Sequence, residues 1–216
     1  MKELFNLKSP WVQRFAMFTN LVVLNLLWLI CCIPVFTIGA ATSAMYHTIF
    51  LYHSKEDDAI LRPFFRGFRA NFKQATLLFL PMLVALALVV FDIVYLASYG
   101  KGTAVLFLLI LLALFLTGTM IHMLPLIARF DMNAKALLRT AFSLCVLHLP
   151  ATITVIALGI VPVFLLIFYP DLFLRFGAAW AGIWFSGIAY FFGKALLKIW
   201  RKHMPPEPDT EESVSE

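Results

Sequence analysis

Long uncharged stretches alternate with short charged ones along most of the chain. Between Arg14 and Lys55 there are forty residues without Asp, Glu, Lys or Arg, about twice the ~20 residues that one membrane span needs. Pro34 and Gly39 lie in the middle and are able to turn the chain, so a helical hairpin is predicted there. Four longer apolar runs follow. The predicted membrane segments are 15–33, 39–53, 76–99, 103–128, 141–169 and 173–193.

The second segment, 39–53, is the least certain of these spans. It is short and carries Thr42, Ser43, His47 and Thr48. Its length permits either a full crossing or a re-entrant segment that enters and leaves on one side. The sequence pattern does not decide between a full crossing and a re-entrant segment. The chain is therefore predicted to have five to six membrane segments.

The stretch LRPFFRGFRANFK at residues 61–73 combines aromatic and basic side chains at helical spacing. Its aromatics share one face of a predicted amphipathic helix over 60–74, and its basic residues form a stripe on the flank of that face. The aromatics are Phe64, Phe65, Phe68 and Phe72, and the basic residues are Arg62, Arg66, Arg69 and Lys73. This pattern is typical of a helix that lies in the membrane interface. Docking a partner protein is the second interpretation, and nucleic-acid binding is disfavoured.

Composition identifies lipid as the solvent of most of the chain. Of the 216 residues, 62% are hydrophobic and 13% are charged, whereas soluble domains have about 25% charged residues. The predicted fold is therefore all-α: a polytopic transmembrane helical bundle, with a cytoplasmic interfacial amphipathic helix. Residues 1–203 form one membrane-embedded domain, and 204–216, rich in Pro and acids, form a disordered cytoplasmic tail.

The distribution of Lys and Arg predicts the orientation. With six segments, fifteen of the seventeen Lys and Arg lie on the side of both termini; with five, the division is twelve to five. Since cytoplasmic loops carry the excess of positive charge, the six-segment topology with both termini in the cytoplasm is preferred. The predicted location is the bacterial cytoplasmic (inner) membrane.

Five polar residues inside the apolar runs are candidates for a functional site: Asn25, His47, Asp92, His122 and His148. Ionisable groups within a membrane are functional hypotheses by default. The three histidines are predicted at a similar depth, which permits a proton relay or metal site if their helices are neighbours. Neutral histidines bonded between helices are the simpler interpretation. Asp92 is expected to snorkel or to pair with Lys101, and coupling-ion binding is its alternative.

A further motif lies in NLLWLICCIPVFTIGAATSAMY, residues 25–46, and continues in FFRGFRANFKQA, residues 64–75. Its small residues allow helices to approach closely. These stretches resemble the YesL family of bacterial integral membrane proteins, a group defined by a domain of unknown function. The motif residues that carry the resemblance are Trp28, Pro34, Thr37, Gly39, Ala41, Ala44 and Tyr46. Such proteins are often encoded beside carbohydrate-uptake ABC transporters, which implies an accessory role by association.

No catalytic, cofactor or metal-binding motif is found: the sequence contains no P-loop, GxSxG, HExxH or dinucleotide fingerprint. We therefore expect a non-enzymatic membrane protein without cofactor, whose partners are the lipid bilayer and a component, such as the permease, of an ABC sugar-uptake system. The alternative is a small stand-alone transporter or channel that uses the Pro34–Gly39 break and the intramembrane polar residues. The three cysteines are expected to be small apolar filler.

Overall fold

The structure, a computed structural model, describes residues 10–54, 60–99, 102–177 and 180–203. These residues are almost entirely helical and contain no strand. The α-helices are α1 (Pro10–Cys31), α2 (Ile38–Ser54), α3 (Leu61–Tyr99), α4 (Thr103–Arg129), α5 (Ala134–Leu147), α6 (Leu149–Phe168), α7 (Pro170–Arg175) and α8 (Phe185–His203). A 3₁₀ turn, Val35–Thr37, precedes α2, and a π-helical turn, Trp180–Trp184, precedes α8. The predicted all-α bundle is confirmed.

Four of the described helices are long and apolar enough to cross a membrane. They are α1 from Arg14, α3, α4 and α6. Their outward surfaces carry large apolar side chains such as Phe91, Phe107 and Ile167, each about two-thirds exposed. Surfaces of this kind are stable only in lipid. The chain is therefore a multi-pass membrane protein.

Helices α1 and α2 form the predicted hairpin. Thr37 closes the turn, because its hydroxyl contacts the carbonyl oxygens of Cys31 (2.5 Å) and Pro34 (2.6 Å). Trp28 near the end of α1 meets Thr42 near the start of α2, while Met17 and Tyr52, at the opposite ends of the two helices, line one small gap. The two helices are thus antiparallel along their length, as expected for a returning segment.

Helix α2 is the central element of the bundle. It packs against α1, α3, α4 and α8, and most of its side chains are buried. Apart from His47 and His53, its residues are apolar, aromatic or small on every face, the pattern of a helix that is surrounded by protein. Ala41, Ala44 and Tyr46 of the sequence motif lie in this buried surface.

The basic amphipathic segment is not a separate helix. Predicted segments 60–74 and 76–99 form the single 39-residue helix α3, because no Gly or Pro interrupts the chain between Lys73 and Leu80. Pro81 lies inside the same helix. The predicted separation of an interfacial helix from the span is therefore wrong, and the basic segment continues the apolar part of the same helix.

Two other predicted segments are interrupted. Segment 141–169 divides at His148 into α5 and α6, with Pro150 in the first turn of α6, where its missing N–H is tolerated. Segment 173–193 contains the end of α7, the π-helical turn and the start of α8. The π-helical turn is a second interruption, and α8 continues to His203. The predicted tail 204–216 and Lys101 lie outside the described residues.

Candidate functional site

A closely packed seam joins α2 to the basic part of α3. Gly39, Ser43 and His47 recur every four residues on α2, and they face Phe79, Asn71 and Gly67 of α3. Added Cβ atoms at Gly39 and Gly67 would lie 2.7 Å from Phe79 Cβ and 2.8 Å from His47 Cδ2. Asn71 Nδ2 donates a hydrogen bond of 3.0 Å to Ser43 Oγ. Small residues at this spacing allow helix backbones to approach closely in a membrane.

The seam orients the four cations of the segment. Their side chains are all exposed, and none of them forms an ion pair with another described residue. We call them the basic stripe: Arg62, Arg66, Arg69 and Lys73. Since the opposite face of α3 is packed on α2, these charges occupy a rigid surface.

The aromatic residues beside the stripe are distributed differently from the prediction. Phe64 is fully buried, Phe68 and Phe72 are half-buried against the core, and Phe65 is 47% exposed. The prediction that these four rings share one face turned to the membrane interface is therefore wrong for Phe64, because α2 packs against this part of α3. Of the four rings, Phe65 is the exposed one beside the stripe, and Leu61, one turn earlier, is 55% exposed.

Other cations lie at the same end of the bundle. Gln74 Nε2 of α3 donates to Met132 O at 2.8 Å, which ties α3 to the α4–α5 connection. The Trp200 ring of α8 contacts Phe130 and Phe50, with ring centroids 5.1 and 5.5 Å away. The exposed cations nearby are Arg129, Lys135, Arg139, Lys194 and Lys198. We call this surface, together with the basic stripe, the basic end.

The three intramembrane histidines do not form one site. His47 Nδ1 contacts Ala128 O at the end of α4 (3.2 Å), whereas His122 Nε2 contacts Thr152 Oγ1 (2.9 Å). Thr152 in turn donates to His148 O (3.1 Å). In the described ranges no group of three His, Cys, Asp or Glu side chains is arranged to hold a metal ion.

The hydrogen bonds define the protonation of two imidazoles. A carbonyl oxygen only accepts, so His47 Nδ1 carries hydrogen. Thr152 donates its single hydroxyl hydrogen to His148 O, so His122 Nε2 must donate to Thr152 Oγ1. The nitrogens His47 Nε2 and His122 Nδ1 are buried without a hydrogen-bond partner among the described residues. These histidines join helices, which agrees with the simpler interpretation.

We expect Thr152→Val to lower the free energy of unfolding by about 0.6–1.7 kcal/mol, the range of interhelical hydrogen bonds in membranes. Valine keeps the shape but leaves the donor of the fully buried His122 unpaired. Thermal unfolding in detergent measures the change. Thr154→Val is the matched control, because Thr154 is exposed and bonds only within its own helix. Equal effects of the two substitutions would contradict the prediction.

Asn25 and Trp28 hold α1 against the bundle. Asn25 is fully buried, and its Oδ1 accepts a 2.9 Å hydrogen bond from the backbone N–H of Ser186. Trp28 Nε1 donates to Thr42 Oγ1 at 2.9 Å. Asp92 is exposed near the C-terminal end of α3. The five candidate polar residues are therefore dispersed over the bundle.

Sequence reasoning did not identify the partners of these side chains. Ser186, Thr152, Asn71 and Gln74 are all uncharged residues within apolar or amphipathic runs. Their spacing carries no signal on its own, because their roles depend on which helices are adjacent. A small polar residue surrounded by apolar ones, as in IWFSGIAY, is the one usable indication.

Two apolar cavities lie between the helices. The first, of about 680 Å³, is bounded by α1, α6, the π-helical turn and α8, with Arg14 at one end. The second, of about 600 Å³, is bounded by α1, α2, α3, α4, α6 and α8. Gly187 lines the first and Gly159 the second, and an added Cβ at either would meet no atom within 4 Å. Both cavities suit apolar occupants rather than ions.

One comparison with known proteins gives a match. The family model described as "Protein of unknown function, DUF624" matches residues 21–93, about a third of the chain, from within α1 to within α3. No curated protein and no solved structure matches the chain. The matched segment contains the α1–α2 hairpin, the seam and the basic stripe. The chain is thus a multi-pass membrane protein that is similar, over these three helices, to a family of unknown function.

Proposed function

We propose that the chain is a non-enzymatic accessory subunit that binds a partner membrane protein through its basic stripe. The observation that carries this proposal is the basic stripe, in which four exposed cations extend from a helix that is packed on the opposite side. Because the backbone that carries these cations is already a packed helix, binding need not order a flexible backbone segment. Exposed Phe65 offers an apolar anchor beside them.

The charge distribution supports an orientation with the basic end in the cytoplasm. Arg14, the nine cations of the basic end and one acid, Asp131, are exposed at this end of the described bundle, while Asp92, Asp171 and Arg175 are exposed toward the other. From this distribution and the positive-inside rule we propose that both ends of the chain lie on the cytoplasmic side of a bacterial inner membrane. The partner surface would carry exposed acids.

The partner we propose is the permease of a carbohydrate-uptake ABC transporter. The support is the resemblance of residues 25–46 and 64–75 to proteins that are often encoded beside such systems. These stretches contain Gly39, Ser43, Gly67 and Asn71 of the α2–α3 seam. A stand-alone transporter is less favoured, since Thr37 closes the Pro34–Gly39 break and the candidate polar residues do not line a common path.

Charge reversal at the stripe tests this proposal. We expect the triple change Arg62→Glu, Arg66→Glu, Arg69→Glu to abolish co-purification with the permease in mild detergent, because like charges across an interface repel strongly. The matched control reverses Lys194 and Lys198, which lie at the same end on α8. The control is expected to retain the partner.

The fold of the triple variant is checked by its thermal unfolding in detergent. The cations are exposed, so the transition is expected to change little. Purification of the native chain from its own membrane without any permease would overturn the proposal. Solute uptake by the isolated chain in liposomes would instead favour the transporter alternative.

A further inference from the structure

We propose that the cavity between α1, α6 and α8 binds one phospholipid of net negative charge. Its phosphate would contact Arg14 and one acyl chain would lie along the cavity. We call this cavity the lipid groove. The inference does not depend on the partner proposed above, because it concerns a different surface of the bundle.

The groove is held open by backbone features of two helices. Pro162 removes the N–H that would bond to Leu158 O, and Trp184 Nε1 donates to this carbonyl at 3.2 Å. Trp184 ends the π-helical turn, so the indole joins the irregular start of α8 to α6. The contact leaves the space beside Gly187 unfilled.

The length and position of the groove fit a lipid chain. It extends from Ile183 in the π-helical turn to Phe192 in α8, and along α1 from Arg14 to Leu21. At 1.5 Å per residue these lengths are roughly 13 and 10 Å, close to the ~15 Å of one hydrocarbon leaflet. Close packing disfavours an empty apolar space of this size, so an apolar chain is the fitting occupant.

Charge determines which lipid is preferred. In the described part of the chain, Arg14 is the one charged residue that lines the groove, and it lies at the end where the other cations of the bundle are found. The α1 residues Met17 and Asn20 lie beside Tyr52 and Ile60, next to the start of the basic stripe. Trp11 is close to Arg14, 5.7 Å from its guanidinium carbon to the ring centroid. An arginine beside a tryptophan, at the end of the bundle where the cations lie, is suited to contact a lipid phosphate.

The test measures lipid binding to the delipidated chain in detergent by native mass spectrometry. We expect the native chain to bind one phosphatidylglycerol about fivefold more tightly than phosphatidylcholine, the contribution of one basic residue. Arg14→Gln should remove this preference. Gly187→Leu should fill the groove and lower the affinity for both lipids by about tenfold or more.

Gly159→Leu is the matched control, because it places the same side chain into the other open cavity. It is expected to leave phosphatidylglycerol binding unchanged. Unchanged thermal unfolding of the Gly187→Leu variant confirms that lost binding is not lost folding. Retention of the preference by Arg14→Gln, or equal binding by the native chain and Gly187→Leu, would overturn the proposal.

Discussion

Alanine at Gly39 is expected to destabilise the bundle by about 1–3 kcal/mol, the usual cost of overpacking a well-filled core. The added carbon would lie 2.7 Å from Phe79 Cβ and 3.2 Å from the backbone oxygen of Ala75. The second neighbour is backbone and cannot rotate away, so α2 and α3 must separate. Their separation would weaken the hydrogen bond between Asn71 and Ser43. Thermal unfolding in detergent measures the loss.

Gly67→Ala tests the same seam from the other helix. Its Cβ would meet the ring of His47 at 2.8–3.0 Å, and the imidazole can move only by leaving Ala128 O. Because both glycines lie in one interface, their double substitution should cost less than the sum of the two. If the stability losses of the two single variants simply added in the double variant, the two sites would relax independently and the prediction would be contradicted.

Two glycines of α6 and α8 provide the control for this experiment. Gly159 and Gly187 would place a Cβ in open space, and alanine favours a helix over glycine by roughly 0.5–1 kcal/mol. Their alanine variants should be neutral or more stable than the native chain. If all four alanine variants changed the stability by the same amount, helix propensity alone would explain the results. Close packing at the seam would then be contradicted.

The α1–α2 hairpin and the seam show which features of the fold could be predicted from the sequence alone. The predicted hairpin, 15–33 and 39–53, agrees closely with α1 and α2 because forty uncharged residues need lipid or protein around them at every position. The small residues of 39–44 predicted close packing without identifying α3 as the neighbour. The hydrophobicity of a residue predicts that it is buried. Which helix it packs against depends on how the helices are arranged.

The errors have the same origin. The amphipathic pattern of 60–74 predicts an apolar surface beneath its aromatics, and both lipid and α2 satisfy that pattern. Similarly, equal depth for His47, His122 and His148 followed from counting residues, yet depth does not indicate the direction of a side chain around its helix axis. His122 faces α6 through Thr152, while His47 faces the end of α4. Only the packing of the helices separates these cases.

Leucine at Asn25 is expected to lower the free energy of unfolding by about 1–3 kcal/mol, the cost of a buried donor left without its partner. Asn25 Oδ1 accepts from the backbone N–H of Ser186, directly after the π-helical turn. π-Helical turns disturb the regular bonding of the backbone, and Asn25 on α1 gives this N–H an acceptor. Lipid offers no replacement acceptor.

The effect should therefore concentrate at the junction of α1 with α8. Hydrogen exchange of the Ser186 amide is expected to rise in Asn25→Leu, while amides in the α2–α3 seam keep their protection. Asn20→Leu is the matched control, because Asn20 is half-buried on the same helix and should change stability by no more than about 0.5 kcal/mol. If both leucine variants left exchange at Ser186 unaltered, Asn25 would not hold the start of α8. A selective rise would show that a single amide side chain in α1 stabilises the irregular backbone beside the lipid groove.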